Sequence, residues 1–139
     1  SDITATDSYS AIRRAEMPSV IWGKPGASIE DLDFQNVRIT AKGGHARAAA
    51  EVQPEENDGR FPRDVGAIPA YGFYLRHVRD VRFRDCEFGF EQNDGRPAFV
   101  VDDGEKVVLE RCELQREAGS DSAVSVRGGP GVTIRPKTP

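Results

Sequence analysis

The stretch VRDVRFRDCEF, residues 78–88, has counterparts before and after it in the chain. Residues 29–39, IEDLDFQNVRI, match it, while residues 107–114, VVLERCEL, and residues 132–134, VTI, match it more loosely. Val81 precedes Val107 by 26 residues, and Val107 precedes Val132 by 25. A fixed period of this length, built from short alternating stretches, is typical of stacked repeats rather than of one globular core.

Each repeat also contains an earlier apolar strand. Phe73, Phe99 and Val124 lie eight residues before the three valines, and Ile21 marks the first strand of an earlier repeat. Within the strands every second residue is apolar, which predicts one buried face. A repeat of about 25 residues cannot bury its own apolar side chains, so the next repeat has to stack on it at the spacing of β-strands, about 4.8 Å. The sequence therefore predicts an all-β fold, a parallel β-helix of about four coils.

The chain is long enough for one domain, residues 1–139. Residues 1–18 are predicted to form a partial coil, a lead-in or a cap. The spacing between Leu32 and Val81 is 49 residues, close to two periods, so residues 41–69 form either a long loop insertion or a degenerate coil. The long loop is the prediction, because no alternating run lies between residues 41 and 69. An uncapped first coil exposes unpaired backbone groups, which predicts self-association through a coil end.

Composition excludes several classes of function. The net charge is −4 with acidic and basic residues interspersed, so no basic surface for nucleic acid is predicted. The sequence contains no run of 18 apolar residues, so no membrane span is predicted. The two histidines lack carboxylates at metal-ligand spacing, so neither a metal nor another cofactor is predicted. Cys86 and Cys112 occupy one column with parallel Cβ directions, which favours stacked thiols over a disulfide.

A turn column is also predicted. Asn36, Asp85 and Arg111 occupy the same position of successive repeats. Asn and Asp tolerate left-handed backbone and bond neighbouring backbone groups at turns, so a structural role is expected there.

An ordered set of segments carries a family resemblance. These are GKPGASIED at residues 23–31 leading to KGG at 42–44, PAYGFYLRHV at 69–78, and DGRPAFVVDD at 94–103. Across residues 19–115 they resemble the C-terminal third of family 28 glycoside hydrolases, the polygalacturonase family. The likeness is closest to bacterial members that carry an acidic, proline-containing insertion before the PAYG segment.

The resemblance implies a right-handed parallel β-helix, hydrolysis of pectic polysaccharides with inversion, and a secreted or periplasmic location. Inversion requires an acid and a base carboxyl group about 6.5–9.5 Å apart. The family's Asn-Thr-Asp, Asp-Asp, Gly-His-Gly and Arg-Ile-Lys motifs are not intact here. Residues 43–45 read GGH, residues 38–40 read RIT, and Asp102-Asp103 aligns with the family's non-catalytic tail. The motifs would lie before Ser19.

The chain is therefore predicted to be a fragment or divergent relative of such a glycoside hydrolase, inactive alone. The alternative is a non-catalytic structural or carbohydrate-binding β-helix module. No catalytic residue is predicted.

The candidate substrate-binding residues are Arg76, His77, Tyr74 and Tyr71. Arg76 and His77 end a first strand, and a guanidinium matches a uronate carboxylate; the alternative is that both bond backbone carbonyls at a turn. Tyr74 and Tyr71 are candidates for stacking on a sugar, with Tyr74 pointing outward by alternation. Trp22 is expected to pack under a loop.

Charged residues near these candidates have simpler interpretations. Asp102 and Asp103 are adjacent on a strand, so they are expected on opposite faces and not as an opposed acid–base pair. Arg76, Asp102 and Arg127 share an outward column, which predicts a ladder of alternating charge. The acidic run around Glu55 is expected to be a solvated loop.

Overall fold

The fold consists almost entirely of strands. The computed structural model describes residues 3–6, 8–10, 15–17, 19–56, 68–120 and 122–136, the first three stretches by backbone alone. The strands are β1 (Ile3–Thr6), β2 (Ser8–Ser10), β3 (Ala15–Met17), β4 (Ser19–Trp22), β5 (Ile29–Gln35), β6 (Val37–Gly43), β7 (Phe73–Arg84), β8 (Glu87–Gln92), β9 (Phe99–Glu110), β10 (Glu113–Leu114), β11 (Val124–Arg127) and β12 (Val132–Arg135). One short 3-10 helix spans Arg47–Glu51. The predicted all-β class is confirmed.

The strands pair in parallel with strands one repeat away in the sequence, apart from the antiparallel pair β2–β3. We group them as repeat A (β4, β5, β6), repeat B (β7, β8), repeat C (β9, β10) and repeat D (β11, β12). Val81 pairs with Leu32 on one side and with Val107 on the other, and Val107 pairs with Val132. The predicted period of 25–26 residues is thus the offset between paired strands, and the 49-residue spacing from Leu32 to Val81 is the offset across the segment predicted as an insertion.

Repeat A departs from the predicted register in its first strand. Ile21 pairs with Leu75, and Ser19 lies opposite Phe73. The reason is that six residues, 23–28, separate β4 from β5, whereas His77 alone separates the corresponding halves of β7. The shift is two residues, so Ile21 still lies on the inward face.

Left-handed bends recur at three positions of the repeat and shape the long strands. Each column of bends has φ between 51° and 106°. The columns are His77, Asp103 and Gly128; Asp31, Asp80, Lys106 and Gly131; and Asn36, Asp85 and Arg111. The third column confirms the predicted turn column. Because L-residues rarely adopt this conformation, its recurrence shows that the backbone path is repeated from one repeat to the next.

The core lies between the sheets and consists of stacked inward side chains. Phe83 is fully buried, and its ring stacks on Phe34 of repeat A with centroids 4.6 Å apart. Phe73, Phe88 and Phe99 surround it with centroids at 4.8–6.1 Å. Burying each such ring stabilises the fold by about 1.5–3 kcal/mol. Phe83 packs on Phe34 of repeat A and on Phe99 of repeat C, so contacts between repeats form a large part of this core.

The two segments outside the repeats both contain regular secondary structure. β1 (Ile3–Thr6) pairs in parallel with β6 and so adds an edge strand to the sheet of β1, β6, β8 and β10, here called the third sheet because it contains the third strand of each repeat. In the insertion predicted for residues 41–69, β6 continues to Gly43, and the 3-10 helix coincides with the alanine-rich run. Residues 57–67 lie outside the described residues. No helix in the described ranges is long and apolar enough to cross a membrane.

The cysteines behave as predicted. Cys86 and Cys112 are free thiols, with Cys86 buried. The Cys86 thiol donates to the carbonyl of Arg84 at 3.3 Å, and the Cys112 thiol donates to that of Phe83 at 3.3 Å. Both thiols therefore have hydrogen-bond partners and pack as small side chains at the core.

Candidate functional site

Residues 45–56, here called the strap, lie across the outer side of the sheet formed by β4, β7, β9 and β11. The Arg127 guanidinium of repeat D donates to the carbonyl oxygen of Val52 at 2.7 Å and also to that of Ala50. Its Nη1 reaches Gln53 Oε1 at 3.1 Å. The middle of the strap, at Ala50, Val52 and Gln53, is thus attached to repeat D.

The strap then crosses repeat C to repeat B. Gln53 Nε2 donates to Asp102 Oδ2 at 2.9 Å, and Arg76 Nη1 donates to the Pro54 carbonyl at 2.7 Å. These two contacts place one strap residue over each of two successive repeats. The strap therefore runs along the stack, across the face that the sequence predicted to bind substrate.

The surface beneath the strap is the predicted charge column. Arg76 pairs in register with Asp102, and Asp102 with Arg127. Arg76 Nε lies 3.6 Å from Asp102 Oδ2, and the two side chains are only 13% and 15% exposed. The predicted ladder of alternating charge is confirmed, and its low exposure comes from the strap that covers it.

His77 lies between two carboxylates at the end of the strap. Its Nδ1 is 2.7 Å from Asp103 Oδ2, and its Nε2 contacts Glu56 Oε1. Burial by itself lowers the pKa of His77, but the hydrogen bonds and negative charges of Asp103 and Glu56 outweigh it and raise the pKa above its usual value. The clamped imidazole therefore favours its charged form, which holds both carboxylates.

The left-handed bends explain why adjacent residues face the same side. His77 has φ 51° and Asp103 has φ 56°, so the alternation of side chains is interrupted at both. As a result Asp102 contacts Gln53 while Asp103 contacts His77, and both lie on the strap side. The expectation that Asp102 and Asp103 face opposite sides is wrong, because it assumed an unbroken strand.

Glu56 connects the two basic side chains of repeat B. Its Oε1 contacts His77 and lies 3.5 Å from Arg76 Nε. The prediction that the acidic run is a solvated loop is therefore wrong for Glu56, because its carboxylate contacts two basic side chains of the same chain. For Arg76 the alternatives were contact with a uronate carboxylate and a bond to a backbone carbonyl. The structure contains the second, to the carbonyl of Pro54.

Tyr74 is on the outer face as predicted, but it has no exposed surface. Its ring packs against Trp22, with centroids 5.6 Å apart, in a small cluster separate from the main core. Its hydroxyl donates to Asp102 Oδ2 at 3.3 Å, and burial raises the pKa of Tyr74 to about 12. The expectation of a ring available to a sugar is wrong for Tyr74, because neighbouring residues cover it; the members of this outer cluster are Val20, Trp22, Ile68, Ala70, Tyr74 and Val100.

Trp22 is half-buried and forms part of the same cluster, in keeping with the expectation that it packs rather than stands free. The guanidinium of Arg76 lies 5.1 Å from the centre of its ring. This is a cation–π distance, and it holds the Arg76 side chain flat against repeat A.

Tyr71 is also buried and has a structural role. Its hydroxyl lies 3.1 Å from the carbonyl oxygen of Phe88 and also contacts that of Gln115. Burial is the main reason that the pKa of Tyr71 is raised. The expectation that Tyr71 stacks on a sugar is therefore wrong, because its ring belongs to the main core.

One buried ion pair near this face was not recognised from the sequence. Asp94 is fully buried, and its carboxylate accepts from the side chain of Arg96 at 2.8 Å and from the Arg96 backbone at 2.9 Å. Arg96 Nη1 also donates to the Ile68 carbonyl at 3.3 Å. The segment DGRP was noted in the sequence for its family resemblance, and nothing in it indicated that the two charges are buried.

The acidic side chains at this face have basic or amide partners within the chain. The carboxylates of Glu56, Asp102 and Asp103 are all hydrogen-bond acceptors or ion-pair partners of basic or amide groups. In the part of the chain that the structure describes, no three His, Cys, Asp or Glu side chains are grouped as metal ligands.

Comparison with known proteins adds no assignment. No family model, curated protein or solved structure matches the chain.

Proposed function

We propose that the chain is a non-catalytic module with the parallel β-helix architecture of pectin-degrading glycoside hydrolases, either as a fragment or as a divergent relative of that family. Support for the β-helix comes from pairing at intervals of one repeat in all three positions of the repeat. The right-handed sense and the tie to pectic polysaccharides rest on the sequence resemblance.

One observation carries the non-catalytic assignment. The strap occupies the face where Arg76, His77 and Arg127 lie, and each of these side chains bonds a strap residue. A catalytic groove needs access for substrate and an acid and a base carboxyl about 6.5–9.5 Å apart with room for water. Here Asp102 instead accepts a hydrogen bond from Gln53 of the strap, and Asp103 contacts His77, which in turn contacts Glu56 of the strap.

An activity assay tests this assignment. The purified chain is incubated with polygalacturonate, and reducing ends are measured over time. No turnover above the buffer control is expected. Turnover that is abolished by Asp102→Asn or Asp103→Asn, while Glu91→Gln in the exposed part of repeat B retains it, would overturn the non-catalytic assignment.

A second candidate function is binding of an acidic polysaccharide at the same face. It is favoured by Glu56, whose carboxylate is held by both Arg76 and His77 in the way that a uronate carboxylate would be. In this function the strap is a competitor that the polysaccharide displaces.

Affinity electrophoresis with polygalacturonate distinguishes the two candidates. If the face binds, Glu56→Gln is expected to bind more tightly than the unchanged chain, because the competing carboxylate is removed. Arg76→Ala is expected to weaken binding. For a purely structural module, the polysaccharide leaves the migration of each of the three proteins the same as in the gel without it.

A further inference from the structure

The two ends of the stack differ in shape, charge and apolar exposure. Among the residues whose side chains the structure describes, the exposed large apolar ones lie at the ends: Ile29 in repeat A, and Val126 and Ile134 in repeat D, at 36%, 44% and 54% exposure. Their equivalents in the middle repeats are buried, as Leu109 shows in the column of Ile134. These side chains are exposed where none of the described strands stacks on them.

The ends also have complementary steps. Repeat D has first and second strands, β11 and β12, but among the described residues it has no third strand, and the third sheet ends at β10. At the other end β1 adds a strand beneath β6 in the third sheet, while β4 and β5 have β7 as their one described neighbour. The repeat D end thus lacks a described third strand, whereas β1 is an additional third-sheet strand at the repeat A end.

We propose that a second copy of this chain stacks head to tail, with its repeat A and its β1 seated on repeat D. In this arrangement β1 of one copy pairs with β10 of the other and completes the rung begun by β11 and β12. β4 and β5 then follow as the next rung. The registers of the chain itself set the alignment, and the exposed strand edges supply the unpaired backbone groups.

The apolar columns continue across this junction. Extension of the observed registers places Leu32 of one copy on Val132 of the other, and Phe34 on Ile134. It also places Ile21 on Val126. These are the same columns that pack Phe34 against Phe83 inside the chain.

Charge favours this pairing of unlike ends over a pairing of like ends. β5 contains Glu30, Asp31 and Asp33, whereas β11 and β12 contain Arg127 and Arg135 and no acidic residue. Inside the chain Asp33 Oδ2 lies 2.7 Å from Arg84, and Arg135 occupies the column of Arg84 two repeats later. Two D ends would instead bring arginines together, which is unfavourable.

A head-to-tail contact of this kind does not close on itself. Each copy retains one free end, so the assembly grows with protein concentration into linear oligomers. This inference rests on the stacked architecture of the proposed function but not on its link to pectic polysaccharides, since the measurement is mass and not sugar binding.

The experiment is sedimentation velocity over a wide range of protein concentration. The unchanged chain is expected to shift from monomer to a series of linear oligomers. Ile134→Lys at the D end and Asp33→Arg at the A end are each expected to raise the concentration needed for association by at least roughly tenfold. Glu91→Lys, an exposed residue of repeat B, is the control and is expected to associate as the unchanged chain does.

Mixing the two end variants tests the direction of stacking. Each has one intact end, so an equimolar mixture is expected to form dimers and nothing longer. Arg135→Glu replaces Ile134→Lys if the latter fails to fold, and the double variant Asp33→Arg with Arg135→Glu is expected to recover association.

Two results would overturn the proposal. One is an unchanged chain that stays monomeric at every concentration while circular dichroism shows it folded. The other is Asp33→Arg associating alone as strongly as the unchanged chain, which indicates a contact between like ends.

Discussion

At the scale of single residues, the least expected feature is a histidine in a left-handed bend between two carboxylates. Left-handed backbone costs an ordinary residue about 1–2 kcal/mol. His77 adopts it with φ 51° and gains contacts to Asp103 and Glu56. The bend and the contacts support each other, because only the bend turns the imidazole toward the strap.

The charge of His77 makes the stability of the protein depend on pH. Its pKa is raised on folding, so its contribution is fully present below the unfolded pKa of about 6.5 and is lost as the pH rises through the folded value. We expect His77→Asn, which tolerates the bend, to lower the free energy of unfolding by about 1–2 kcal/mol at low pH and by less at high pH.

Urea unfolding at a series of pH values measures this difference. Asp103→Asn removes one of the two charges and should move the loss to lower pH. A difference between His77→Asn and the unchanged chain that grows with rising pH would contradict the assignment of a charged, clamped imidazole.

The buried pair of Asp94 and Arg96 gives a second prediction. Asp94→Ala leaves the Arg96 guanidinium, whose side chain is 7% exposed, without its anion. Removing one partner of a buried pair costs about 3–5 kcal/mol. Urea unfolding should show a loss of that size, whereas Glu91→Ala on the surface should change stability little. A loss as small as that of the control would mean that solvent reaches the pair.

At the scale of elements, the left-handed columns decide how the long strands bend. Asp80 has φ 54° in β7, in the same column as Gly131 of repeat D. Glycine adopts this conformation freely, whereas a β-branched residue resists it.

Two substitutions at Asp80 separate the backbone effect from the side chain. Asp80→Gly should change the free energy of unfolding by a few tenths of a kcal/mol, and Asp80→Val should lower it by about 1–2 kcal/mol. Arg82→Val, two residues away on the same strand, is the matched control, since valine suits an ordinary strand position. Thermal or urea unfolding compares the three. Equal losses for the two valine variants would show that the bend at Asp80 is not required.

At the scale of the whole molecule, a stack of repeats has stability that varies along its length. β7 and β9 each have strands on both sides, whereas β11 and β12 have one described neighbour, β9. Opening an end repeat breaks one interface and opening a middle repeat breaks two, so the ends open at lower free energy.

Hydrogen exchange measured by mass spectrometry tests this gradient. At a protein concentration too low for association, amides of β7 and β9 should exchange most slowly, and those of β11 and β12 markedly faster. Uniform protection along the chain would instead indicate one cooperative unit.

Much of the fold could be predicted because its information is local and repeated. The period of the apolar residues predicted the registers of Val81, Val107 and Val132, since a residue pairs with its equivalent one repeat later. The column of Asn36 and Asp85 was recognised because few residue types suit a left-handed turn. Free cysteines and the charged column followed from the same spacing.

The candidate site could not be predicted in the same way, because a segment without periodicity completes it. Alternation correctly placed Tyr74 on the outer face, but it could not show that Trp22 and Ile68 cover the ring. It likewise could not show that Glu56, from the strap, meets His77.

The amino-acid sequence by itself determined the repeats, their registers and the apolar columns, because strand periodicity and a fixed spacing are properties of the chain alone. The tertiary structure alone decided which of the outward side chains are open to solvent. It did so because the path of the strap depends on contacts between residues far apart in sequence, such as Arg127 with Val52, that no local pattern encodes.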